Sequence, residues 1–286
     1  MKAAASLVGM GAIALWSCLA VLTAAAGPLP PFELATITFA IGGGLGLVAA
    51  CWRGKLHALR QPWPVWALGI GGLFFYHALY FAALRLAPPA EAGLIAYLWP
   101  LLIVLLSALL PGETLRPRHV VGAVLGLCGV AVLLLGSKLA QGEGFGLRMQ
   151  YLPGYGLAFA CAFVWAIYSV LSRRFKNVPS DAVAGFCLGT AALAALSHLA
   201  FESTVWLQTS AQACAIAALG LGPVGLAFYV WDHGVKHGDI RLLGVASYAA
   251  PLLSTLILVV AGFAQATWAL ALACAMIVTG AVVAAR

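Results

Sequence analysis

Tyr76, His77 and Tyr80 lie close together inside an otherwise apolar run, GIGGLFFYHALYFAALRL. On a helix turning about 100° per residue, all three point into one sector roughly 100° wide. The next apolar run, after a Pro-Pro turn, carries Gly93, Tyr97, Trp99 and Pro100 at comparable depth. Phenol hydroxyls, an imidazole and aromatic faces are groups for reversible binding. They suit an apolar or aromatic side chain joined to a polar head, and a ring face can also hold an ammonium group. Catalysis is not indicated: the chain has no P-loop, HExxH or GxSxG motif and no cluster of metal ligands. No catalytic residue, cofactor or metal is expected.

The elements that must position these groups are membrane helices. Hydrophobic residues make up 64% of the 286 residues and charged residues 8%, against about 45–50% and about 25% in soluble domains. Ten apolar segments of spanning length are expected, near 6–26, 32–52, 64–87, 90–110, 118–136, 153–174, 180–200, 211–235, 240–261 and 266–285. The fold class is therefore an all-α integral membrane protein. The net charge of +7 does not indicate nucleic acid, because the basic residues sit at the ends of apolar runs. The expected partners are the lipid bilayer and a small-molecule substrate. The seven cysteines include no close pair and are expected to pack as small hydrophobes. The first run, with Lys2 before it and Ala24-Ala25-Ala26 after it, resembles a signal peptide. Its recurrence later in the chain makes it a retained first helix.

That recurrence is a repeat. An offset of 151 sets Pro100 on Pro251, Tyr97 on Tyr248, Gly93 on Gly244, Gly71 on Gly222 and Gly129 on Gly280, and an offset of 149 sets Trp16 on Trp165. Residues 1–137 and 153–286 then form two five-helix repeats, joined by an external linker at 138–152. Five is odd, so the second half enters the membrane from the opposite side, as an inverted-topology repeat. Pro100 and Pro251, with Gly93 and Gly244, are the expected helix breaks; Ser247 and Tyr248 are the second-half counterparts at the pocket. Tyr97 and Trp99 point about 200° apart on a regular helix, so both line one cavity only if Pro100 distorts it. With an inside N-terminus, twelve of the fifteen Lys and Arg residues fall on the inner side. Both termini are expected in the cytoplasm.

Most of the eight acids fall at helix ends or in loops, and none is expected at mid-depth. Asp181 reads as a helix cap, Asp232 as a solvated helix end and His198 as interfacial. His77 is the titratable group at mid-depth; with no carboxylate beside it, orienting a substrate carboxylate suits it better than carrying a proton. Trp52, Trp63, Trp66, Trp206 and Trp268 fit an interfacial belt. The pairs Gly122/Gly126 and Gly185/Gly189 have GxxxG spacing, which in a ten-helix bundle points to packing within the chain more than to dimerisation.

The repeat, the Trp16/Trp165 pair and the segment ETLRPRHVVGAVLGLCGV from Glu113 to Val130 resemble the EamA-type members of the drug/metabolite transporter superfamily. Within it, the stretches Tyr76-His77…Tyr80 and Tyr97-Leu98-Trp99-Pro100 resemble the aromatic amino acid exporters. The second half departs from the pattern, with Ala264 where Glu113 has its equivalent. The resemblance implies efflux of small metabolites across the inner (plasma) membrane by alternating access, with Trp16, Tyr76, His77, Tyr80, Tyr97, Trp99, Trp165, Ser247 and Tyr248 around the substrate. The alternatives are an exporter of other amphipathic solutes or drugs, which in the small multidrug type uses a glutamate in the first helix, and a non-transporting scaffold, which needs no repeat-matched helix breaks. A transporter of phosphorylated sugars needs Lys or Arg in the pocket, and none is placed there.

Overall fold

A computed structural model describes residues 2–111, 114–140, 148–260 and 266–286, with the side chains of 137–140 excepted. Glu113, Ala264 and residues 141–147 of the 138–152 linker lie outside the described residues. Among the described residues there is no strand, and ten helices are long and apolar enough to cross a membrane. They are α1 (Lys2–Ala26), α2 (Pro31–Trp52), α3 (Trp63–Leu86), α4 (Pro89–Leu109), α5 (Pro117–Gly136), α6 (Met149–Phe175), α7 (Ser180–Phe201), α8 (Ser210–His237), α9 (Ile240–Val260) and α10 (Trp268–Ala285). In lipid every backbone polar group must be satisfied within the protein, which restricts an apolar span of this kind to helix.

Local chemistry sets the ends. Proline occupies the first helical turn of α2 and α4, where its missing N–H costs nothing. Thr209 and Gln212 form a capping box at the start of α8, and Thr267 caps α10. The start of α2 is capped from a distance: Glu202 accepts the backbone N–H groups of Phe32 and Glu33. Trp52, Trp63, Trp206 and Trp268 are largely exposed at helix ends, as an interfacial belt requires.

The chain divides into two compact units, Met1–Phe74 with Leu171–Gly238, and Phe75–Val170 with Asp239–Arg286. Neither unit coincides with a sequence half. In the first unit α2 packs along α7 and α1 along α8, over a core where Phe39 stacks on Phe228 at 5.5 Å and Trp16 meets Trp231 at 5.1 Å. Helix α8 carries a π turn at Gly222–Leu226, where Pro223 cannot donate its N–H.

In the second unit α5 packs along α10 and α4 against α9, around Val104, Ala123, Val130, Val245, Tyr248 and Ile277. Gly122 faces the carbonyl of Gly280 and Gly129 faces that of Ala273. Shifting the first pair by 151 residues and exchanging partners yields the second pair. The GxxxG glycines are filled from within the chain: Gly126 by the Tyr248 ring, Gly185 by Trp66 and Gly189 by Ile70.

Two expectations about the acids need correction. Asp181 makes no capping hydrogen bond; in the 3-10 turn that opens α7 it forms a 2.6 Å ion pair with Arg53. Asp232 is not a solvated helix end. It is 1% exposed and pairs with Lys236 at 2.8 Å, one helical turn away on the same face.

Candidate functional site

Helices α4 and α9 break where a proline forbids regular hydrogen bonding. Pro100 and Pro251 are both buried. A proline ring clashes with the carbonyl four residues before it, and regular helix stops at Ala96 and at Ala246. Tyr97–Leu98 and Ser247–Tyr248 form the turns, closed by tighter bonds such as Leu98 N–H to the Ile95 carbonyl and Tyr248 N–H to the Val245 carbonyl. Past the first break, the N–H of Leu101 donates to the Tyr248 hydroxyl at 3.1 Å. Ser247 donates its hydroxyl to the Leu243 carbonyl. Both Ser247 and Tyr248 are fully buried, and their polar groups serve the backbone of the two breaks. Gly244 lets the helices approach: a Cβ there would sit 3.1 Å from the Pro100 carbonyl.

The break in α4 also turns its side chains. Trp99, 6% exposed, meets Trp165 of α6 at 6.2 Å, edge to face. Tyr97 packs against the core of Val104 and Tyr248 and lies near Tyr80 of α3. Tyr76 lies 5.1 Å from Trp165 and stacks at 6.2 Å on Tyr80, while His77 meets Tyr76 and Phe81 edge-on. Gly93 gives room to the Tyr80 hydroxyl, which would stand 3.8 Å from an added Cβ.

The cluster is layered. Trp165, Trp99 and Tyr168 are buried, whereas Tyr76, His77, Tyr80 and Tyr97 remain half-covered by the chain. A rigid aromatic floor therefore carries a front of three phenols and an imidazole. Tyr168, 5.2 Å from Trp165, was not singled out from sequence. Its signal is helical spacing, three residues beyond Trp165 and so on the same face.

Trp16 belongs to the first unit. There it packs on Phe228 and Trp231 and donates its indole N–H to the Pro223 carbonyl at the π turn. With the offset of 151, Phe228 and Trp231 stand where the second unit has His77 and Tyr80. The two units thus hold related tryptophan-centred clusters, and the phenols and imidazole are concentrated in the second.

A buried carboxylate lies on the site helix α4. Glu91, in the first turn of α4, is 3% exposed and accepts a hydrogen bond from Tyr155 of α6. In the first unit, His198 bridges Glu202 at 3.0 Å and Thr204 at 2.9 Å, and Glu33 accepts the Val205 N–H. His198 lies in the last turn of α7, near the span end as expected, and is buried there. Among the described residues no group of three His, Cys, Asp or Glu side chains could hold a metal ion.

A family model, the EamA-like transporter family, matches the chain twice, over residues 3–135 and 152–286. An Aromatic amino acid exporter YddG of Ancylobacter novellus is 61% identical over 99% of this chain and 97% of its own length. The exporter of the same name from Escherichia coli K12 is 27% identical over 88% of this chain and 86% of its own. A solved crystal structure, 61% identical, superposes with a TM-score of 0.95 over 99% of this chain and 97% of that one.

Proposed function

Because the chain belongs to the EamA-like transporter family, it is a multi-pass membrane transporter and not an enzyme, and we propose that it exports aromatic and other large neutral amino acids by alternating access. The observation that carries this reading is the layered cluster in the second unit. Rings in contact at 5.1–6.2 Å, one pair stacked and the others tilted or edge to face, form a surface for an aromatic side chain. The half-covered Tyr76, Tyr80 and Tyr97 offer hydroxyls to the amino acid head group, and His77 orients its carboxylate. The name of the Ancylobacter relative supports the same substrate class.

The assay is flux of labelled amino acids in proteoliposomes. Phenylalanine, tyrosine, tryptophan and leucine should cross, while glutamate and lysine should not. Tyr97→Ala and Tyr80→Ala should each lower flux at least tenfold, equivalent to about 1.4 kcal/mol of lost interaction, with the protein still monodisperse in detergent. Undiminished flux in both variants would place the substrate elsewhere.

The transport cycle rests on a repeat of residues 1–137 and 153–286 with opposite topology. Its supports are the double family match, the breaks at Tyr97–Leu98 and Ser247–Tyr248, and the reciprocal Gly122/Gly280 and Gly129/Ala273 contacts. The charge bias sets both termini in the cytoplasm. Reporters fused after residue 55 and after residue 175 should both read cytoplasmic, and one near residue 142 external. Opposite locations for the first two would sink the inverted repeat.

A further inference from the structure

A cavity of about 160 Å³ opens in the second unit where α5 and α9 begin and α10 finishes, lined by Thr114, Arg116, Arg118, His119, Asp239 and Arg241 with Ala284 and Ala285. It lies at span ends, hence at the membrane–water boundary. Three guanidinium groups face one carboxylate. That carboxylate is already engaged, since Asp239 accepts the backbone N–H groups of Arg241 and Leu242 as the cap of α9. Arg241 spans the cavity to donate to the Thr114 carbonyl. His119, 5% exposed, accepts the Arg116 N–H through Nδ1 at 3.2 Å, which fixes the chain entering α5. Among the described residues neither Arg116 nor Arg118 has an ion-pair partner, and Arg118 Nε is shielded from solvent with no hydrogen-bond partner.

A shielded guanidinium nitrogen without an acceptor is costly, and none of the described residues supplies one to Arg118 Nε. Guanidinium forks match phosphate oxygens two at a time, and the positive end of the α5 dipole adds to the field. The volume falls below the roughly 300–1,000 Å³ of pockets that enclose a drug-sized ligand, so it suits a compact anionic group. We propose that this cavity binds a phosphate group, as the headgroup of an anionic phospholipid or as a free phosphate species. Basic pockets between helices at this depth are suited to anionic headgroups.

The test uses the purified full chain in uncharged detergent, with thermal unfolding followed as phosphatidylglycerol, phosphatidylcholine or inorganic phosphate is added at matched ionic strength. Phosphatidylglycerol should raise the midpoint by several degrees and persist as discrete adducts in native mass spectrometry; phosphatidylcholine should do neither. The double variant Arg116→Gln/Arg118→Gln should lose at least tenfold in apparent affinity. Ala285→Glu, which keeps every arginine but places a carboxylate at the cavity wall, should lose the response likewise and decides the matter if the double variant does not fold. A rise with inorganic phosphate that also displaces the lipid assigns a free phosphate species; no rise with phosphate assigns the lipid. The proposal is overturned if the parent responds to neither, or if either folded variant responds as the parent does.

Discussion

Replacing Lys236 by methionine is expected to destabilise the folded protein by about 3–5 kcal/mol, while Lys236→Met combined with Asp232→Leu recovers most of that loss. The reason is the depth of the pair. The side chains of Lys236 and Asp232 are 3% and 1% exposed and meet at 2.8 Å. Ser180 donates to Asp232 at 2.6 Å, and Lys236 donates to the Val178 carbonyl at 3.0 Å. Both outside partners lie where the chain passes from α6 to α7, so a pair on α8 pins that connection. Removing the cation leaves a carboxylate deprived of its counter-charge in a place shielded from water. Removing both charges leaves only a change of shape and the freed Ser180 and Val178 groups. Equilibrium unfolding of the two single variants and the double variant in detergent isolates the coupling. A single-variant cost under about 1 kcal/mol, as exposed pairs give, would show that water reaches the pair.

Gly280→Val is expected to abolish the folded state, and Gly122→Val to do the same, because the α5–α10 crossing has no room for a Cβ at either position. An added Cβ at Gly280 would stand 2.5 Å from the Gly122 carbonyl, and one at Gly122 equally close to the Gly280 carbonyl. The obstacle is backbone on both sides, so no rotamer change relieves it. The cost exceeds the roughly 1–3 kcal/mol typical of overpacking against side chains. Gly156→Ala in α6 is the control, since nothing lies within 4 Å of its added Cβ. It should be neutral or stabilising by about 0.5–1 kcal/mol, because alanine favours helix over glycine. Yield of monodisperse protein and its thermal midpoint measure all three. A well-folded Gly280→Val variant would mean that α5 and α10 do not cross here.

Much of this architecture is legible in the sequence because lipid leaves a spanning segment few alternatives. Ten apolar runs of sufficient length become ten helices, since no other open structure satisfies its own backbone in hydrocarbon. The breaks in α4 and α9 were legible for an equally local reason: a proline ring and its missing N–H act on the preceding turn of its own chain. The grouping of Tyr76, His77 and Tyr80 followed from helical spacing alone. Tertiary structure decided the rest, because burial and partnership depend on which helices become neighbours. Asp232 and Asp181 are both acids near helix ends, yet one is sealed against Lys236 and the other is ion-paired with Arg53. Ser247 and Tyr248 sit at the register of Tyr97, yet their polar groups serve the backbone of the two breaks. Trp16 and Trp165 are repeat partners by sequence, but Trp16 is surrounded by Phe228 and Trp231, and Trp165 by Tyr76, Trp99 and Tyr168. A residue's type and spacing fix the direction of its side chain on its own helix; what it meets there is fixed by which helices the fold makes its neighbours.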